Sequence, residues 1–301
     1  MIVPNQSNLK VHFAGLENQD FAQILHEVSN INYSLFTVFP LIADKVGIKP
    51  MKMKTCTNNS ALYLQKASHH TIMDSGLFTL MFGAHAGKRD ATFINKWYEL
   101  IVEFVLENKY KGTVVEVDCQ KILGVDKAWE FRRRMKKDLP NNQINVFHIE
   151  DGQKGLDEMI EFSDYIAISV PELRVLHKKE YTERIANYIK SKKPNIDIHL
   201  LGCTENKLLK KLNFCSSSDS TSWQQVNRYG ILKMHNGNKT LSIKNSNINM
   251  TKLKERYSPK IENILSKWME VTDKRFDYYS KYALAGEALI KQYTIHAGDQ
   301  N

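Results

Sequence analysis

Three aspartates occupy positions where they could do chemistry. Asp74, in Met73-Asp74-Ser75-Gly76-Leu77-Phe78, and Asp219, in Asp219-Ser220-Thr221-Ser222-Trp223, each follow a short apolar run that reads as a buried strand. Asp118, in Val117-Asp118-Cys119, follows another. Two carboxylates brought to one site by two strand ends can divide a glycosyl transfer, one attacking a sugar carbon and the other handling a proton. A lone aspartate at such a place is more often a helix cap or a turn residue. Three at comparable places weaken that reading.

The elements that would position these residues alternate along the chain. Short strand-like runs are expected at 11–14, 33–39, 70–73, 113–117, 144–147, 165–169, 196–201 and 214–218. Helical stretches fall between them, at 21–28, 91–107, 127–139, 156–162, 178–190 and 205–212. In the stretch 91–107 the apolar residues Phe93, Trp97, Ile101 and Phe104 recur at helical spacing. Repeated strand–helix units imply a parallel sheet. About eight of them predict a closed (β/α)8 barrel, whose reacting groups sit at the C-terminal strand ends. The competing open, doubly wound sheet usually carries a glycine-rich turn after its first strand, and only Gly15 lies there. Barrel closure would set strands one and eight side by side and let Asp74 and Asp219 face each other across the mouth. The barrel is expected to span 1–228. Residues 229–301 then add a hairpin around Asn236-Gly237 and two helices, at 251–270 and 272–293.

Composition narrows the function classes. The chain has 301 residues, 42% of them hydrophobic, and a net charge of +9. No run of about 18 apolar residues exists, so no membrane span is expected. The start lacks the basic-then-apolar pattern of a secretory leader. The cysteines, Cys56, Cys119, Cys203 and Cys215, are scattered and form no CxxC pair, which argues for reduced thiols in a cytoplasm and against a zinc ribbon. The positive charge favours a polyanionic partner. Its densest cluster, Arg132, Arg133, Arg134, Lys136 and Lys137, is the expected phosphate-binding surface, and the bland alternative is a solvated helix face.

Four segments together resemble the tRNA-guanine transglycosylase superfamily. The segment from Asp74 to Phe78 is similar to that family's Asp-Ser-Gly-Gly-aromatic motif, and Val117-Asp118-Cys119 to its Phe-Asp-Glu-Cys segment. His199-Leu200-Leu201-Gly202 resembles its Tyr-Leu-Met-Gly segment, and the segment from Asp219 to Trp223 resembles the one that carries the nucleophile. The short chain is most similar to the phage-type relatives that insert 7-deazaguanine bases into DNA. The resemblance implies that Asp219 attacks C1′ and expels guanine, leaving a covalent glycosyl-enzyme, while Asp74 transfers a proton at the base. It further implies that Asp118 accepts hydrogen bonds from the base edge. Phe78 and Leu201 would enclose the ring, with Ser75, His148, Ser169 and Gly202 completing the pocket. His148 stands where the family has Gln, and Ile166-Ala167 where it has paired glycines.

No cysteine follows Cys215, so the zinc site that follows the nucleophile in the tRNA enzymes is missing, and His235 and His296 alone cannot form a tetrahedral site. No cofactor and no metal are therefore expected. The expected partners are DNA, or tRNA as the alternative, and a free 7-deazaguanine base such as preQ0. A homodimer is allowed, and the expected location is the cytoplasm, that of the host for a phage protein. The expected activity is exchange of guanine in DNA for a 7-deazaguanine. The alternatives are a tRNA-guanine transglycosylase, a two-carboxylate barrel glycosidase and a non-enzymatic nucleic-acid-binding barrel.

Overall fold

The structure is a computed structural model that describes residues 9–17, 22, 33–48, 58–82, 90–221, 231–235 and 240–244. Eight parallel strands close into a barrel in chain order: β1 (Lys10–Ala14), β2 (Tyr33–Thr37), β3 (His70–Asp74), β4 (Thr113–Val115), β5 (Gln143–Phe147), β6 (Tyr165–Ser169), β7 (Asp197–Leu201) and β8 (Ser217–Ser220). β1 pairs with both β2 and β8, which closes the ring. With helices between the strands this is the (β/α)8 barrel expected from the alternation.

Side chains alternate in and out along each strand. Val11, Phe13, Phe36, Met73, Val114, Ile166, Ile168, Ile198 and Leu200 face outward and join the main apolar core under the helices. Ala14, Leu35, Ile72, Val115, Ile144, Val146 and Ala167 form a second, smaller cluster inside the ring. The inward face also carries polar groups: His12, His70, Thr113, the Tyr165 hydroxyl, His199 and Ser217 form hydrogen bonds there, and Asp74 and Asp219 lie toward its C-terminal end.

The helix Ala91–Glu107 has the expected bounds. Asp90 caps it by accepting the Phe93 N–H, and Ile94, Trp97, Leu100, Ile101, Phe104 and Val105 make its buried stripe. The segment 33–39 is shorter as a strand than expected. Pro40 stops the ladder, and Phe39–Ile42 turns into a short helix. Asp74 and Asp219 are residues of their strands rather than of the turns after them. Further helices lie at Asn58–Ala67, Leu77–Phe82 and Val170–Val175, where none was expected. β9 (Ile231–His235) and β10 (Thr240–Lys244) pair antiparallel, as the hairpin reading requires. The expected helices at 21–28 (apart from Ala22), 251–270 and 272–293, the domain boundary at 228, and His296 lie outside the described residues. Among the described residues, no helix is long and apolar enough to cross a membrane, and Cys119, Cys203 and Cys215 are buried and not in disulfides.

Candidate active site at the barrel mouth

Asp74 ends β3 beside its register partner Thr37 on β2. Its Oδ1 accepts the Gly76 N–H at 2.7 Å. Gly76 has φ +73°, and a Cβ there would stand 2.7 Å from Phe39 Cβ and 2.8 Å from Thr37 Oγ1, so glycine is the residue that lets this turn close. Trp97 Nε1–H donates to the Ser75 carbonyl at 2.9 Å and fixes the turn from below. On the neighbouring strand, the Thr37 N–H donates to buried Glu17 at 2.8 Å. Burial pushes the Asp74 carboxyl up to about 6 from 3.8, against the pull of the Gly76 N–H, and the charges of Asp219 and Asp118 push it in the same direction as burial. The three aspartates thus share one electrostatic site.

Asp219 is held on β8, three strands round the ring from β3. Its Oδ1 accepts the Gly202 N–H at 2.8 Å and His199 Nε2–H at 3.2 Å. Gly202 has φ +57°, and a Cβ there would meet Pro171 Cγ at 2.7 Å. Leu201, the last residue of β7, packs on the inner apolar cluster. Its register partner Ser169 ends β6 and starts the helix Val170–Val175.

Asp118, just beyond β4, accepts His148 Nε2–H at 2.8 Å, and His148 Nδ1–H donates to Glu172 at 2.8 Å. Burial alone would lower the His148 pKa. The two carboxylates outweigh it and raise the imidazole to about 10, so His148 is a cation over the neutral range. Burial would raise Glu172, but His148 and Lys121 hold its carboxyl down at about 2. Lys121 donates to Glu172 at 2.8 Å and also contacts Glu150. His148, Glu150 and Glu172 bring ligand atoms within 4.8 Å of one another. A metal there would have to displace Lys121 from the carboxylates and replace the hydrogen bond between His148 and Glu172.

The sequence-derived pocket residues Asp74, Ser75, Asp118, His148, Ser169, Leu201, Gly202 and Asp219 all lie on or just past C-terminal strand ends. Ser75 is buried, and Phe78 is 70% exposed in the first turn of Leu77–Phe82. Glu17, Thr37, Lys121, Glu172 and His199 complete the arrangement; none of them is a site residue expected from the sequence, and His199 enters only as part of a motif.

The basic cluster needs a correction. Arg132 is 1% exposed; its Nε and Nη2 bond both oxygens of buried Glu116 at 2.6 and 2.9 Å, and Nη2 also donates to the Val146 carbonyl. It is a core ion pair and cannot reach a phosphate. Arg133 stacks over Trp129 and pairs with Glu158, Arg134 stacks over Tyr98, and Lys136 donates to the Phe162 carbonyl. These residues and exposed Lys137 belong to Val125–Asp138, which returns from the mouth toward the start of β5 on the outside of the barrel.

No family model matches the chain, and no curated protein matches it. Among solved structures, "QR15, an Aldolase" aligns over 73% of this chain and 93% of its own, with 12% identity and a TM-score of 0.45. The YdjI aldolase from Escherichia coli K12 aligns over 95% and 91%, with 11% identity and a TM-score of 0.46. Likenesses this distant carry no argument about the chemistry of this chain. The assignment to the tRNA-guanine transglycosylase superfamily is corrected, and with it guanine exchange in DNA or tRNA: no family model and no curated protein carries it, and both structures named here are aldolases; the glycosidase alternative gains no support. The motifs behind that assignment have local physical causes. Gly76 is what the strand-to-helix turn after β3 requires, and Gly202, the glycine of His-Leu-Leu-Gly, is what the approach of Pro171 requires.

Proposed function

We propose that this chain is an enzyme that moves a proton on a small, cationic or N–H-rich molecule bound at the barrel mouth, with Asp74 as the acid–base group. The observation that carries this reading is the Asp74 carboxyl raised to about 6 at a C-terminal strand end, beside two further aspartates. A group with a pKa near the working pH both gives and takes protons readily. Active sites of barrels of this type gather at that face.

The ligand class follows from charge and bonding capacity. Asp118 and Asp219 each use Oδ1 in the hydrogen bonds described, and their second oxygens make no hydrogen bond among the described residues. A carboxylate only accepts hydrogen bonds. Such a mouth favours amines, amidines or ring N–H groups and repels anions. His148, already shared between two carboxylates, serves to hold Asp118 in place.

The test is turnover. Wild-type protein and Asp74→Asn are incubated with pools of small polar metabolites sorted by charge, and substrate loss is followed by mass spectrometry. The expected result is consumption of a cationic or N–H-rich compound by wild type only, with a limb of the pH profile near 6. Equal turnover by Asp74→Asn, or turnover confined to anionic compounds, contradicts the reading.

A further inference from the structure

Beneath Asp219 lies a hydrogen-bonded chain that the acid–base reading does not use. His199 is fully buried at the centre of β7. Its Nε2 is 3.2 Å from Asp219 Oδ1 and its Nδ1 is 2.5 Å from Ser217 Oγ. Ser217 Oγ is in turn 2.5 Å from the Tyr165 hydroxyl. We propose that His199 is a positioning residue for Asp219, and that Tyr165 and Ser217 fix which ring nitrogen of His199 carries the proton. This inference rests on the reading of the mouth as an acid–base site.

The direction of the chain follows from what each group can do. The Asp219 carboxylate only accepts, so His199 Nε2 must bear the proton. In a neutral imidazole Nδ1 is then the acceptor, and the Tyr165 phenol, which burial keeps protonated, is the group left to donate to Ser217 Oγ. The Ser217 hydroxyl then points its own proton at Nδ1, which is left as an acceptor. Every donor in the chain thus points toward Asp219. Together with the Gly202 N–H, the imidazole holds Oδ1 from two sides. The side chain of Asp219 is only 11% exposed, so its charge has one fixed place from which to act on Asp74. A second-sphere donor that fixes the orientation and tautomer of an acceptor is a general device of reactive sites.

The other groups facing His199 do not compete. The His12 ring lies 6.2 Å away, edge on, and the Tyr165 ring 6.4 Å away. Burial, reinforced by His70 and His199, keeps His12 well below the usual histidine value, and its Nε2 pairs with His70 Nδ1 at 2.8 Å.

The experiment is imidazole nitrogen NMR on the intact wild-type chain, with His199→Gln used to assign the signal. His199 is expected as a single Nε2–H tautomer whose Nδ1 is unprotonated, and Ser217→Ala and Tyr165→Phe are each expected to weaken that preference. A second readout is the Asp74 titration followed by carboxyl carbon NMR. His199→Leu frees Asp219 to turn its charge away, so the Asp74 midpoint should fall, on the order of half a pH unit for a charge at this range. His199→Gln, which can still donate, should restore it. A protonated Nδ1 in wild type, or identical Asp74 midpoints in the Leu and Gln variants, overturns the inference. Both readouts are independent of turnover, so loss of the acid–base reading and loss of this one can be told apart.

Discussion

Replacing Asp74 with Asn should stabilise the protein, and only above mildly acidic pH. In the unfolded chain the carboxyl ionises near 3.8, and in the folded chain at about 6. Below 3.8 it is neutral in both states and carries no penalty. As pH rises through this window the unfolded state releases the proton first, so folding stability falls until pH exceeds 6. A shift of about 2 units corresponds to about 3 kcal/mol at 1.36 kcal/mol per unit. Partial exposure of the side chain makes that an upper bound, because water screens the charge. Asn keeps an oxygen to accept the Gly76 N–H and has no charge to place near Asp118 and Asp219. Urea unfolding of both proteins at pH 4, 5, 6 and 7.5 reads the difference directly, since every other titrating group is common to both. The variant should gain about 1–3 kcal/mol at pH 7.5 and only about a fifth of that at pH 4. A difference that is constant with pH, or a variant less stable at pH 7.5, refutes the reasoning.

Other outcomes follow from single contacts. Gly202→Ala should cost about 1–3 kcal/mol by thermal unfolding, because φ +57° is strained for alanine and its Cβ meets Pro171. Arg132→Ala strands the Glu116 carboxylate in the core and should cost about 3–5 kcal/mol in urea, whereas Arg133→Ala removes an exposed pair and should cost under about 1. His148 is raised to about 10 in the folded protein from 6.5, so its stabilising charge is fully present below 6.5 and lost as pH rises through 10. The stability gap between wild type and His148→Gln should therefore be widest below pH 6.5 and narrow toward pH 10.

The barrel was legible because most strands are short apolar runs and the long helices have apolar stripes; Phe93, Trp97, Ile101 and Phe104 place one helix to the residue. β8, Ser217–Ser220, is polar, and the apolar start of the expected run 214–218 lies before it, so that strand is displaced toward the C-terminus. Phe39 misled because an apolar residue next to a strand looks like more strand until Pro40 forbids the ladder. Arg132 misled because a run of basic residues resembles a surface. It stands four residues after buried Ala128 and three before buried Met135, so helical spacing already put it on the inward face. The aspartates of the mouth were found from their places at strand ends. Their partners were harder to see. Glu172 reaches His148, and His199 reaches Asp219, each across a pair of adjacent strands, pairings that only the barrel register creates. The short motifs carried a family resemblance that the whole chain does not sustain, and local geometry accounts for their glycines, Gly76 and Gly202.

The central claim is that Asp74 is poised to exchange a proton near neutral pH under the influence of its two neighbouring aspartates. Carboxyl carbon NMR on protein labelled at aspartate, with Asp74→Asn to assign the signal, measures this directly. The account predicts a midpoint near 6 that falls when Asp219→Asn removes a neighbouring charge. A midpoint near 3.8 that ignores Asp219→Asn would contradict it.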